Sequence, residues 1–150
     1  MIRPAMPADR EAIEAIVAAA YAPYVERIGK KPGPMLDDYA ALIAAGVVTV
    51  DEDAAGQLAG LIVLLPKNDH LLLDNIAIHP GRQGQGLGRR LIDFAEAEAR
   101  RRGYREIRLY THETMTENIA LYTRRGFVET ARGLDAGYAR VFMAKPLAAY

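Results

Sequence analysis

The stretch HPGRQGQGLGRRL, His79 to Leu91, sets Gly81, Gly84, Gly86 and Gly88 between an apolar run and a charged, helix-patterned one. Glycine adopts positive φ without penalty, so a loop this bare can turn successive N–H groups towards one point. The helix that follows adds its unpaired first-turn N–H groups and the positive end of its dipole. With Arg82, Arg89 and Arg90 around it, the junction has the chemistry of an anion site, and a diphosphate fits that description. A tight turn that happens to be glycine-rich fits equally well, because a lone glycine motif is weak evidence. Two familiar patterns fail on spacing. A dinucleotide fingerprint needs a glycine where Arg89 stands, and a nucleotide P-loop built on Gly81 and Gly86 needs a lysine where Leu87 stands.

Working outward, HLLLDNIAI (His70 to Ile78) reads as a strand covered on both faces, since its apolar run is nearly continuous. Two more strands precede it, Val47 to Asp51 and Gln57 to Pro66, separated by turn residues. Ile13, Ile16, Val17, Ala20 and Tyr21 recur at helical spacing and predict a helix over Ala8 to Val25, after a short strand at Ile2 to Pro4. A Gly/Pro-rich loop spans Arg27 to Met35, and a short helix, Leu36 to Ala45, stops at Gly46. Beyond the glycine loop, Leu87, Leu91, Phe94, Ala95 and Ala99 line one helix face, ending at Gly103. REIRLYT is a strand, and Thr114 with Glu117 predicts a capping box opening a helix from Met115 to Arg125. FVETAR and YARVFMAK complete the chain as strands around a GLDAG loop. The expected architecture is one α/β (α+β) domain over residues 1–150. Its sheet is mixed and mostly antiparallel, with one strand–helix–strand crossover at its centre.

Composition narrows the function classes. The 150 residues are 51% apolar and 25% charged, ordinary for a globular domain with its own core. Nineteen basic residues balance nineteen acidic ones, so no overall field recruits nucleic acid or an anionic membrane. Absent cysteines exclude disulfides, thiolate metal sites and a cysteine nucleophile. The opening MIRPAMPADREAIEAI carries charges where a signal peptide needs an apolar core, and no run approaches membrane-spanning length. A cytoplasmic protein without a metal is expected. The basic run Arg100 to Arg102, with Arg105 and Arg108, reads as a solvated helix end, where cations suit the dipole.

Gln83-x-x-Gly86-x-Gly88 resembles the Q/R-x-x-G-x-G/A signature of the GNAT acetyltransferase superfamily, and ENIALYTRRGF (Glu117 to Phe127) is similar to that family's tyrosine-bearing helix followed by Gly-Phe. Element order agrees over essentially the whole chain. The resemblance implies a seven-stranded sheet flanked by about four helices and an acetyl-CoA-dependent transfer to a primary amine by direct attack. It further implies pyrophosphate contacts from Gln83, Gly84, Gln85, Gly86, Leu87, Gly88 and Arg89. The pantetheine arm would lie against Ile76, Ala77 and Ile78, and Tyr122 would protonate the leaving thiolate. One departure stands out: the asparagine the family often carries seven residues before the tyrosine is Met115 here, with Asn118 the nearest substitute.

Transfer to an amine needs a base, oxyanion stabilisation and an acid for the thiolate. Asp74 interrupts an apolar strand, where burial would raise its pKa and make it a usable base; a structural carboxylate is the equal alternative. His112 is the reserve, with His70 and His79 less suited. For the acceptor, Tyr21, Tyr24, Arg27 and Tyr138 could line a pocket, and Arg27 with Lys30 and Lys31 would favour a carboxylate or phosphate on it. A small amine is preferred. A protein N-terminus or lysine, or a non-catalytic acyl-CoA-binding module, is the alternative, and a homodimer is open.

Overall fold

The computed structural model describes residues 1–148. Strand β1 (Ile2–Pro4) is followed by helices α1 (Arg10–Ile28) and α2 (Tyr39–Ala44), then β2 (Val48–Glu52), β3 (Leu58–Pro66) and β4 (Leu71–Ile78). Helix α3 (Leu87–Arg101) crosses to β5 (Glu106–His112), α4 (Thr116–Arg124) follows, and the hairpin β6 (Val128–Asp135) and β7 (Tyr138–Pro146) closes the order. The seven strands lie as β1-β2-β3-β4-β5-β7-β6, and β4 with β5 is the parallel pair. This is the expected architecture of seven strands and four helices.

The helices cover both faces of the sheet. On one face Leu91, Ile92, Ala95 and Ala99 of α3 pack with Leu71, Leu73, Ile107, Tyr122 and Phe127. On the other, Ile13, Ile16, Val17 and Tyr21 of α1 pack with Tyr39, Val50, Leu61 and Ala77. Burying those side chains on two faces supplies the main driving force for the fold, at about 25 cal/mol per Å² of apolar area.

Several local expectations shift, among them the start of α2, which is capped by Asp38 and begins at Tyr39 rather than Leu36. Helix α1 runs a turn further than Val25 and stops where Gly29 takes φ 87°. The GLDAG loop shrinks to a two-residue turn at Ala136 and Gly137, both with positive φ, because Gly133, Leu134 and Asp135 pair with Arg140, Ala139 and Tyr138. The capping box does not form: Met115 is the N-cap of α4, the Thr114 hydroxyl lies 2.9 Å from His112 Nδ1, and Glu117 is drawn to Arg27 and Tyr24. Tertiary partners outcompete the local ones.

Two features of β4 create the site. Val63 pairs with Asn75 and Leu64 with Leu73, so Asp74 is an extra residue in the ladder, a β-bulge. The bulge switches the strand's phase: Leu71 and Leu73 pack with α3, and so does Ile76, while Ala77 packs with α1. Further, β4 pairs with β5 only over Leu71–Leu73. Beyond that point β5 continues along β7 to His112, leaving Asp74–Ile78 without a partner strand on that side.

Candidate functional site

The glycine loop closes the end of this parted pair. Gly84 and Gly86 have φ 80° and 78°, and a Cβ built on either meets nothing within 4 Å, so backbone conformation rather than crowding demands glycine. Gly86 is the N-cap of α3, and the Arg90 N–H donates to its carbonyl in the first helical bond. The N–H groups of Leu87, Gly88 and Arg89 therefore open the helix without an acceptor in the preceding turn. At Gly88 an added Cβ would come to 3.5 Å of Leu121, an ordinary van der Waals contact that places α4 against this turn. A groove of about 490 Å³ results. Ile76, Ala77, Ile78, Gln83, Gly84, Gly86, Leu87, Gly88, Arg89 and Asn118 line it. Gln85 turns aside, its Oε1 accepting from Arg82 Nε at 3.0 Å. Open space over donors at a helix N-terminus fits a diphosphate group.

On the far side of Asn118 the parted strands hold a second cavity, of about 200 Å³, which shares Tyr21, Ile76 and Asn118 with the groove. Tyr122 lines it from α4 and is only 4% exposed. Among the described residues nothing takes its hydroxyl in a hydrogen bond, and burial pushes the phenol well above its ordinary pKa. Asp74 lines the same cavity, accepting from the Tyr110 hydroxyl at 3.3 Å. Burial raises its carboxyl above the usual range, against weaker opposing effects from Tyr110, Lys67 and Arg140.

The other sequence candidates divide. Tyr21 and Tyr138 line the cavity, and Tyr138 donates to the Lys31 carbonyl at 2.6 Å. Tyr24 and Arg27 lie apart from it: both hold Glu117, at 3.0 and 2.9 Å, and join α1 to α4 beside the groove. Lys30 donates to the Gly137 carbonyl and sits over the Tyr138 ring. So none of Arg27, Lys30 and Lys31 lines this cavity. His112 does line it, and burial lowers its pKa, keeping the ring neutral; Nδ1 accepts from the Thr114 N–H at 3.2 Å. His79 caps the turn before the glycine loop, and His70 lies 2.7 Å from Asp69. Arg101 and Arg102 both pair with Glu98, as a helix end should.

Sequence reading passed over four contributors. Asn75 is 2% exposed and ties three elements together. Its Oδ1 accepts from Tyr21 at 2.5 Å, its Nδ2 donates to Tyr39 at 2.9 Å, and Tyr39 donates to the Pro34 carbonyl at 2.6 Å. Asp37, Tyr110 and Arg140 also line the cavity. The signal for Asn75 was present, since two adjacent polar residues in LLLDNIAI break strict alternation and mark a bulge. Asp37, in an unremarkable loop, carries no such mark.

An open, mostly antiparallel sheet parted at its one parallel pair, with a glycine-lined helix entrance beside the gap, defines a class of coenzyme-binding fold. A model of the acetyltransferase (GNAT) family matches residues 13–127, and the chain belongs to that family. It is similar to the PaiA N-acetyltransferase of Thermoplasma acidophilum, solved with coenzyme A, at TM-score 0.82 and 18% identity over 97% of this chain and 98% of that one. The ribosomal-protein-S18-alanine N-acetyltransferase of Escherichia coli superposes at TM-score 0.78 with 24% identity, covering 100% of this chain and 95% of that one. In sequence, 65 residues are 42% identical to a mycothiol acetyltransferase of Geodermatophilus obscurus, 43% of this chain and 20% of that protein. The E. coli bS18-alanine enzyme is 35% identical over 74 residues, 49% of this chain and 50% of the relative. These sequence matches thus span a fifth to a half of the relatives' lengths. Among the described residues no group of His, Cys, Asp and Glu is placed to hold a metal, and no helix is long and apolar enough to cross a membrane.

Proposed function

We propose that the domain transfers an acetyl group from acetyl-CoA to a primary amine by direct attack. The observation that carries this reading is the unpaired edge of β4, ending at the open glycine cradle and flanked by the unpartnered Tyr122 hydroxyl. Family membership supports it, as do relatives named as acetyltransferases and a structural neighbour solved with coenzyme A.

The first turn of α3 and the loop from Gln83 would bind the diphosphate, and the free backbone of Ile76–Ile78 would pair with the amide-bearing arm. When bound, the coenzyme supplies an activated thioester, so the acyl carbon is electrophilic without a metal. Asp74 would take a proton from the incoming ammonium, directly or through water, because its raised pKa brings it nearer that of the amine. Tyr122 keeps its proton throughout the neutral range, and a thiolate expelled into the same dry surroundings is equally short of solvation and draws that proton. Asn118, between the two spaces, would steer the arm in place of the residue that Met115 displaces.

A small amine suits a cavity of this volume. A protein N-terminus is the second reading, favoured by the likeness to bS18-alanine N-acetyltransferases. Calorimetry with acetyl-CoA, followed by coenzyme-release assays on wild type and Tyr122→Phe, tests the proposal. Binding with turnover that collapses in the variant supports an enzyme. Binding without turnover on any amine or peptide leaves an acyl-CoA-binding module, and no binding removes the reading.

A further inference from the structure

We infer that the acceptor is a compact dication, an amine carrying a second ammonium or guanidinium group, held between Asp74 and Asp37. This rests on the acyl-transfer reading above and names its substrate class.

The acidic charge in the cavity is only partly compensated. Three charged side chains line the acceptor cavity: Asp37, Asp74 and Arg140. Arg140 is engaged outside the cavity, its Nε 3.0 Å from an Asp135 carboxylate oxygen across the β6–β7 hairpin and its guanidinium 4.0 Å above the Tyr110 ring, and it offsets the charge of Asp74 only in part. His112, the remaining group that could be positive, is kept neutral by burial. Asp74 receives one hydroxyl, from Tyr110. Asp37 has no hydrogen-bond or ion-pair partner among the described residues. The space is therefore net acidic, the reverse of what the loop lysines suggested.

The cavity calls for a ligand on independent grounds, since Tyr122 is buried and offers it an unpartnered hydroxyl. The two carboxylates sit at different depths: Asp74 is half-buried on the bulge of β4, within hydrogen-bond reach of Tyr110, and Asp37 is at the exposed mouth beside Pro34. One ammonium needs one carboxylate. The deep carboxylate receives the amine that reacts, and the rim carboxylate is left for a second cation. Supporting this, burial and the charge of Asp74 push the Asp37 carboxyl above its usual range, a cost that an arriving cation removes. An acceptor with a free carboxylate would meet repulsion from both.

Four acceptors that share a carbon chain and differ only at the far end test this: diaminobutane, aminobutanol, butylamine and aminobutyrate. Coenzyme release is followed at saturating acetyl-CoA and low ionic strength, and diaminobutane binding is measured by calorimetry. A partly screened ion pair predicts a KM for diaminobutane about twofold to fivefold below that for butylamine, with aminobutyrate weakest. In Asp37→Asn that KM ratio falls towards one, and in Asp37→Glu, which keeps the charge, it persists. Equal KM values, a preference for aminobutyrate, or a ratio unchanged in Asp37→Asn overturns the inference. So does a protein that binds acetyl-CoA yet neither binds nor acetylates diaminobutane. A protein that fails to bind acetyl-CoA sinks the acyl-transfer reading instead; loss of diaminobutane binding in Asp37→Asn then still supports the dication site, and its retention or absence in both proteins overturns it.

Discussion

The two halves of β4 belong to one nearly continuous apolar run and differ in how they are paired. Leu71–Leu73 pairs on both sides, with β3 and β5, and Leu71 and Leu73 are sealed under α3. Asp74–Ile78 pairs with β3 alone and turns its other edge to the groove. The boundary is the bulge at Asp74. Since an unpaired strand edge presents N–H and C=O groups ready to pair, the same element is a structural staple at one end and, in the proposed function, a binding edge at the other. Under that proposal stability and function fall on different halves of a single strand, and variants can be aimed at each half separately.

The largest expected effect falls on the sealed half. Leu71, 1% exposed, does not line the acceptor cavity, and Leu71→Ala should cost about 2–5 kcal/mol of stability by denaturant unfolding. A loss below about 1 kcal/mol would break the division of roles. On the open half, Tyr122→Phe removes a hydroxyl that has no protein partner, so stability should hold. Turnover should fall about a hundredfold or more, the usual worth of a general acid, with acetyl-CoA affinity by calorimetry unchanged within about twofold. An equal loss of melting temperature and turnover would mean the hydroxyl is structural.

Gly86→Ala places a Cβ at φ 78°, which should cost about 1–2 kcal/mol of stability and weaken acetyl-CoA binding about tenfold by disturbing the first turn of α3. Weakened binding without weakened folding would locate the effect in the cradle itself. The subtlest expectation concerns pH. Because burial raises the Asp74 carboxyl, kcat/KM should fall as pH drops through a value above the ordinary carboxylate range, where the base becomes protonated. Asp74→Asn should remove that acid limb together with most of the rate; a limb that survives would shift the role to another group. The raised value also means that ionising Asp74 slightly disfavours folding, so wild type should lose a little stability as pH rises through the same window, and Asp74→Asn should not.

How much could be read in advance follows the range of the interaction involved. The helix spacing of Ile13, Ile16, Val17 and Tyr21, the strand runs and the glycine loop were legible, because periodic burial and positive φ are recorded in neighbouring residues. The capping box at Thr114 and Glu117 was plausible locally and lost to His112, Arg27 and Tyr24, which approach from elsewhere in the chain. Arg27, Lys30 and Lys31 suggested an anionic acceptor by their proximity in sequence; folding directs Arg27 to Glu117 and Lys30 to the Gly137 carbonyl and the Tyr138 ring, keeps Lys31 out of the cavity lining, and leaves Asp37 at the cavity mouth.

The sequence by itself determined the order of elements, the helix entrance bared by glycines and the tyrosine that follows it, since each depends on dihedral preference and spacing within a few residues. Only the tertiary structure decided where β4 and β5 part, which side chains meet across the gap and what net charge the cavity carries. Those depend on strand register and on the phase change at Asp74, and a single extra residue in a ladder moves every later side chain to the opposite face.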